Sequence, residues 1–123
     1  MRVIIAGSRE GFKLEDVYTA MKDSQFAHKV TEIVSGTARG VDRLGEQYAK
    51  DHNIPVKKFP ADWDKHGKSG GYIRNAEMAK YADAAVILWD GESKGTKHMI
   101  DIAEKEGIPY SVLLDRKPET GCK

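Results

Sequence analysis

The chain reads Ser35-Gly36-Thr37-Ala38-Arg39-Gly40-Val41-Asp42 between an apolar, β-branched run at 30–34 and an amphipathic pattern at 41–52. Small residues at such a junction let the backbone turn sharply and bring its N–H groups close to a bound group. The helix that follows adds the positive end of its dipole, so this junction favours an anion such as phosphate. A plain strand-to-helix turn, with Asp42 in the first helical turn for local electrostatics, is the alternative interpretation.

Apolar runs alternate with helical patterns along the rest of the sequence. Strands are predicted at 2–6, 30–34, 55–59, 84–89 and 110–114, and helices at 14–24, 41–52, 72–81 and 95–106. A polar loop is predicted at 61–71, between the third strand and the third helix. This alternation is typical of βαβ units. We therefore predict an α/β, Rossmann-like three-layer sandwich with a five-stranded, mostly parallel sheet.

The first and fourth strands are the most apolar and are predicted at the centre of the sheet, which gives the strand order 3-2-1-4-5. In such a sheet a ligand binds beyond the carboxyl ends of the strands, where the order reverses. Two more small-residue turns fall at this edge, Gly7-Ser8-Arg9 after the first strand and Gly95-Thr96 after the fourth. Three turns that are each suited to phosphate favour, when taken together, a nucleotide-type site over ordinary connecting turns.

Length and composition restrict the class of protein. The 123 residues are enough for one domain, predicted at 1–115, and a flexible tail is predicted at 116–123. Hydrophobic residues make up 40% and charged residues 32%, as in ordinary globular proteins. No apolar stretch approaches the roughly 20 residues that span a membrane, and the lone Cys122 excludes an intrachain disulfide. A cytoplasmic location without membrane association is therefore expected.

The net charge and the spacing of the histidines indicate which partners and metals are expected. A formal net charge of +1 gives no general attraction to nucleic acid, so a small-molecule partner is expected before a nucleic acid. The four histidines are not spaced with acidic residues as zinc ligands are, so no metal site is predicted. The number of copies in the assembly is left open, a homo-oligomer included.

The turn after the first strand supplies three functional groups. Gly7 allows close approach of the backbone, Ser8 offers a hydroxyl, and Arg9 offers a forked donor suited to phosphate or carboxylate. Arg9 as an ordinary surface residue is the alternative. The turn is neither the Gly-x-Gly-x-x-Gly dinucleotide motif nor a Walker P-loop, which disfavours a nicotinamide dehydrogenase and a P-loop NTPase.

The segment that leads into the third helix carries further candidates. Arg74 is predicted in the first helical turn, where the dipole disfavours a cation, so we predict a phosphate or ribose contact for it. Pairing with a neighbouring carboxylate is the alternative. Asn75 either bonds a base or ribose or holds the loop. Trp63, in the predicted loop, is either a lid that stacks on a base or a packing anchor.

The turn after the fourth strand offers a second group of donors. Gly91, Ser93, Gly95 and Thr96 supply backbone and hydroxyl groups at the start of the fourth helix. Thr96 as a helix cap is the alternative. Asp90 is predicted at the tip of a central strand, where it could meet a ribose hydroxyl or a bound cation.

These motifs resemble the SLOG superfamily of Rossmann-like domains, which includes the DNA-processing protein DprA and the LOG phosphoribohydrolases. The turns at 6–9 and 35–42 carry the resemblance, which is closer to the small YspA-related branch found in bacteria and phages. That branch also carries motifs similar to Gly70-Gly71-Tyr72-Ile73-Arg74-Asn75 and Trp89-Asp90-Gly91-Glu92-Ser93-Lys94-Gly95-Thr96. The resemblance covers about residues 2–114 and implies the fold and a nucleotide-related ligand, without specifying a reaction.

The resemblance to the LOG enzymes breaks at one position. Their phosphate motif reads Pro-Gly-Gly-x-Gly-Thr-x-x-Glu, and its Glu is implicated in catalysis. Aligning the Gly-Thr pair on 95–96 places Met99 where that Glu should be. Glycosidic cleavage needs a carboxylate that stabilises an oxocarbenium-like centre or activates water, and methionine does neither. LOG-type hydrolysis by the same mechanism is therefore not expected.

Three functions follow as hypotheses. The first is a module that binds a nucleotide or nucleotide-derived molecule in order to sense, sequester or present it. The second is a hydrolase that cleaves an N-glycosidic or phosphate bond with Asp42, Asp90 or Glu92, and the third is a DprA-like nucleic-acid-processing accessory. No cofactor is predicted beyond the nucleotide-like ligand. The predicted ligand contacts are Gly7, Ser8, Arg9, Ser35, Gly36, Thr37, Arg39, Gly40, Asp42, Trp63, Arg74, Asn75, Asp90, Gly91, Ser93, Gly95 and Thr96.

Overall fold

The computed structural model describes residues 1–114, and a parallel sheet lies at their centre. All neighbouring strands pair in parallel, in the order β3-β2-β1-β4-β5. This confirms the predicted architecture and strand order, and every pairing is parallel rather than most of them. The strands are β1 (Arg2–Gly7), β2 (Glu32–Ser35), β3 (Val56–Lys58), β4 (Ala84–Trp89) and β5 (Tyr110–Leu114).

Helices cover both faces of the sheet and bury its apolar side chains. Val3 and Ile5 of β1 face one cluster, and Ile4 and Ala6 face the other, because successive side chains of a strand point to opposite sides. The first cluster includes residues of α1 and α2, and the second includes residues of α4 and α5. The helices are α1 (Leu14–Ser24), α2 (Val41–Asp51), α3 (Trp63–His66), α4 (Gly70–Tyr81) and α5 (Lys94–Glu106).

The predicted loop at 61–71 is the main error of the sequence analysis. The structure has the short helix α3 there, then a 3₁₀ turn (Gly67–Ser69), and α4 begins at Gly70. The Asp62 side chain caps α3 by accepting a hydrogen bond from the Lys65 N–H at 3.0 Å. Because α4 begins before residue 72, Arg74 lies in its second turn, and the argument from the helix dipole does not apply to it.

Two further expectations concern the membrane and the chain terminus. Among residues 1–114, no helix combines the length and the apolar character that crossing a membrane requires. The predicted tail at 116–123, including Cys122, lies outside the described residues.

Candidate ligand-binding site

A cleft of about 210 Å³ opens at the carboxyl ends of β1 and β4, where the strand order reverses. All three predicted turns contribute to its walls, together with α4 and the start of α5. We call it the first cleft. Its lining includes Gly7, Arg9, Ala38, Asp42, Trp63, Lys68, Gly71, Tyr72, Arg74, Asn75, Met78, Ser93, Gly95, Thr96 and Met99.

A second cleft, of about 430 Å³, lies beside the first, along the segments that follow β2 and β3. Four residues line both clefts and form their common wall: Arg9, Ala38, Trp63 and Arg74. The remaining lining of the second cleft consists of Gly36, Thr37, Arg39, Pro60 and Ala61. Arg39 is exposed there and pairs with Glu10 at 3.3 Å.

In the turn after β1, the Ser8 side chain bonds to another segment of the protein, whereas Arg9 lines both clefts. Ser8 is buried, and its Oγ accepts a hydrogen bond from the Asp90 N–H at 3.1 Å. Its own N–H donates to the Leu88 carbonyl at 3.0 Å. Gly7 allows this contact, because a Cβ on residue 7 would lie 2.2 Å from the Leu88 oxygen. The Arg9 side chain, by contrast, is exposed and has no polar partner within residues 1–114.

The turn after β2 is shaped by close approaches. The buried Ser35 hydroxyl donates to Glu46 at 2.6 Å and accepts from the Thr37 N–H at 3.0 Å, so it does not face either cleft. Thr37 adopts a positive φ of 64°. Gly40 has φ of 83°, and a Cβ there would lie 2.5 Å from the Arg9 backbone, so glycine is required at this position.

Asp42 is a buried carboxyl group in the wall of the first cleft. Its side chain accepts a hydrogen bond through Oδ2 from the Ala38 N–H at 3.1 Å, while Oδ1 has no hydrogen-bond partner in the described part of the chain. Burial raises the pKa of Asp42 from its ordinary 3.8 to about 6, although the Ala38 hydrogen bond and the Arg74 charge lower it. Asp42 can therefore exchange a proton near neutral pH.

Arg74 connects α4 to the turn after β2. Its Nη1 donates to the Gly36 carbonyl and its Nε donates to the Asn75 Oδ1 at 3.0 Å. Burial lowers the pKa of Arg74, an effect that Asp42 opposes and Arg9 increases. Gly36 lies between the two charges, because a Cβ on it would be 2.7 Å from Nη1 of Arg74 and 2.8 Å from Oδ2 of Asp42.

Asn75 links α4 to α5 rather than offering a free amide. It is buried, and its Nδ2 lies 3.4 Å from the Gly95 carbonyl and 3.2 Å from Nδ1 of His98. Burial lowers the pKa of His98, which favours the neutral ring whose Nδ1 accepts this hydrogen bond. The Tyr72 ring packs on His98 with centroids 4.3 Å apart. Sequence reasoning missed this cluster because its members lie on two different helices.

In the turn after β4, Asp90 and Ser93 bond mainly to their own backbone. Asp90 Oδ1 accepts hydrogen bonds from the N–H groups of Glu92 and Ser93, each at 2.8 Å, and these lower the pKa of Asp90. Ser93 is the N-cap of α5, so the interpretation of Thr96 as the cap is wrong. The Thr96 hydroxyl donates to the Ser93 Oγ at 3.0 Å. Asp90, Gly91 and Glu92 line neither cleft.

Two backbone N–H groups remain available at the start of α5. Thr96 donates its N–H to the Ser93 side chain, and Lys97 donates to the Ser93 carbonyl. The N–H groups of Lys94 and Gly95 have no partner within the described range. Because Gly95 lines the first cleft, this end of α5 can contact an anion there.

Apolar side chains complete the first cleft. Met78 and Met99 are both buried and lie in its lining, and Met99 is the residue that replaces the LOG glutamate in the sequence comparison. Trp63 is 53% exposed. Its six-membered ring lies against the start of α4, where a Cβ on Gly70 would be 3.0 Å from it and one on Gly71 3.4 Å from it.

Over residues 1–114, no group of three or more His, Cys, Asp or Glu side chains is placed to hold a metal ion. That the protein holds no metal stays a prediction.

Comparisons with known proteins identify related chains. The model of the YspA, cpYpsA-related SLOG family matches residues 1–66, a range that includes the turns after β1 and β2. The chain is also similar to the Gene 61 protein of Mycobacterium phage D29. The two are 35% identical over 122 residues, which is 94% of this chain and 98% of the phage protein.

Proposed function

The chain belongs to the YspA, cpYpsA-related SLOG family, and on that premise we propose that it binds a nucleotide or nucleotide-derived molecule. The ligand's anionic group would lie in the first cleft. The protein would sense, sequester or present the molecule rather than turn it over. The position of this cleft at the reversal of the strand order supports the proposal, because ligands of open parallel sheets bind at such a point.

The observation that carries the proposal is the convergence of two arginines and a helix N-terminus on one cleft. Arg9 and Arg74 both line the first cleft, and so does Gly95, whose N–H has no partner within residues 1–114. One terminal nitrogen of Arg74, Nη2, has no partner among the described residues, although Nη1 and Nε are bonded. Guanidinium groups and helix N-termini both favour phosphate, so their presence in the lining of one cleft supports an anionic ligand.

Titration calorimetry with a panel of nucleoside mono-, di- and triphosphates tests this proposal directly. Saturable binding to the wild type is expected for at least one of them, and Arg9→Ala should weaken it. Arg43→Ala is the matched control, because Arg43 is exposed on α2 and lines neither cleft. No binding at millimolar concentrations, or equal losses in both variants, would overturn the proposal.

A second candidate function, cleavage of the bound nucleotide, is favoured by Asp42. This carboxyl group lies in the cleft wall, with a pKa near 6 and one oxygen without a partner in residues 1–114. In glycosidic hydrolysis, water would attack C1′ while the C1′–N bond breaks. Asp42 would accept a proton from the water, and the released base would take up a proton.

Two observations favour binding over cleavage. Met99 stands in the cleft where the resemblance to LOG enzymes would require a glutamate. Asp90 and Glu92, the other candidate acids, do not line the cleft. Incubation with nucleoside 5′-monophosphates, followed by chromatography of the free base, separates the two functions. Binding without release of base is the expected result, whereas turnover that Asp42→Asn abolishes would establish the hydrolase.

A further inference from the structure

Trp63 lies on the common wall of the two clefts, which places an aromatic ring beside the cationic groups. We infer that Trp63 is the stacking surface for the base of a mononucleotide, whose phosphate lies in the first cleft and whose base extends into the second. The inference rests on the proposed function and specifies its ligand, which would combine a planar ring with an anionic group.

The first observation is that the Trp63 ring is exposed and yet packs against the start of α4. Its side chain is 53% exposed, and its six-membered ring lies on the backbone of Gly70 and Gly71. Any side chain on Gly70 would bring a Cβ within 3.0 Å of the ring. The Asp62 cap holds the start of α3, on which the ring is carried. A ring held in this way loses little conformational entropy when a ligand stacks on it.

The second observation is the shape and chemistry of the second cleft. Its volume, about 430 Å³, is larger than that of the first cleft, and the small side chains of Ala38, Pro60 and Ala61 line it beside Trp63. Arg39, the further cation of this lining, is paired with Glu10, and the small side chains beside Trp63 leave room for the face of a planar ring. Arg9 and Arg74 stand between the two clefts and could contact the phosphate or the ribose that joins base to phosphate.

A mononucleotide fits this arrangement better than a free anion or a polymer. A free phosphate would use the arginines and the start of α5 and leave the exposed ring of Trp63 without a contact. A polynucleotide requires a continuous basic surface, whereas the formal net charge of the chain is only +1.

The experiment compares two probes that share a phosphate and differ in the base: adenosine 5′-monophosphate and ribose 5-phosphate. Wild type is expected to bind the nucleotide more tightly. Trp63→Leu should reduce nucleotide affinity by about 5- to 150-fold, the range for loss of one base–aromatic stack. Its affinity for ribose 5-phosphate should stay unchanged, and Trp63→Phe should retain part of the difference because it keeps a ring.

Tyr18→Leu is the matched control, since Tyr18 is an exposed aromatic residue that lines neither cleft. It should leave the ratio of the two affinities unchanged. A second readout uses Trp89→Phe, which leaves Trp63 as the one tryptophan in the sequence. The nucleotide should quench its fluorescence and ribose 5-phosphate should not.

The outcomes separate the inference from the proposed function. Failure of both probes and of other nucleotides to bind would overturn both. Equal affinities of the two probes for the wild type would overturn the inference alone, as would an unchanged ratio in Trp63→Leu. If Tyr72→Leu rather than Trp63→Leu abolished the difference in affinity between the two probes, Tyr72 would be the stacking surface and the inference would be overturned. Tighter binding of a short single-stranded oligonucleotide than of the mononucleotide would replace the ligand class with nucleic acid.

Discussion

The turns after β2 and β4 have similar compositions but use their small residues differently. In the turn after β2, Gly36 lies between Arg74 and Asp42, and Gly40 lies against the backbone of Arg9, so the glycines bring charged groups together. In the turn after β4, Asp90 and Ser93 instead satisfy the N–H groups of their own segment. The small residues of the turn after β2 thus allow charged groups to lie close together. Those of the turn after β4 belong to a segment that bonds to its own backbone and caps the helix that follows.

The largest difference between the two turns should appear in the free energy of unfolding when one glycine of each is replaced by alanine. Gly40→Ala should lower the free energy of unfolding by about 3 kcal/mol or more, because the positive φ and the Arg9 backbone both oppose a Cβ. Gly95→Ala should raise it by about 0.4–1 kcal/mol, since no atom lies within 4 Å of the added Cβ. Urea denaturation of both variants measures this, and equal effects would contradict the contrast.

The next prediction separates ligand contact from support of the turn after β2. Arg9→Ala and Arg74→Ala should each weaken nucleotide binding by about 10- to 150-fold, the range for loss of a charge-assisted hydrogen bond. Only Arg74→Ala should also lower the melting temperature, because it removes the donors to Gly36 and Asn75. Calorimetry and thermal melts on the same samples test this. An Arg74→Ala protein that melts like the wild type would show that the contact to Gly36 does not support the turn.

The two aspartates should affect stability with opposite dependence on pH, and Asp42 should have the larger effect. Its folded-state pKa of about 6 lies above the ordinary 3.8, so its favourable contribution is present below about pH 4 and is lost as the pH rises through 6. Asp42→Asn should therefore be more stable than the wild type at pH 7.5, by roughly 3 kcal/mol. Denaturation at several pH values measures the difference, which should vanish near pH 4.

Asp90 provides the smaller and opposite case. The N–H groups of Glu92 and Ser93 lower its folded-state pKa, so its contribution is present above the unfolded pKa, about 4, and is lost as the pH falls through the folded value. Asp90→Asn should be less stable than the wild type at pH 7, and the difference should shrink in acid. The same pH series measures it. If the two variants show the same trend with pH, the two turns do not differ in the way described.

The sheet could be predicted from the sequence because each strand is a short run of residues that is recognised without knowledge of its neighbours. The apolar character of β1 and β4 gave their central positions, and the switch point between them located the first cleft. The helix α3 was missed because its sequence is polar and its packing against Gly70 involves a contact outside the local pattern.

The partners of individual side chains could not be predicted in the same way. The hydroxyl of Ser8 bonds to residue 90, and the guanidinium of Arg74 bonds to residue 36. These contacts join residues that are far apart in sequence, so residue type and spacing alone do not specify them. Sequence reasoning consequently assigned Ser8, Ser35 and Asn75 to the ligand, although the structure has their side chains bonded to protein groups.

Ser8 joins three separate segments, since its backbone bonds to Leu88 and Val41 and its hydroxyl accepts from Asp90. Separating the turn after β1 from α2 and β4 would require these bonds to break together. The short α3 has fewer such bonds, and its side chains lie near the protein surface. In terms of time rather than affinity, entry and departure of a ligand should follow the opening of α3, which takes the Trp63 ring off Gly70 and Gly71, while the bonds of Ser8 stay intact.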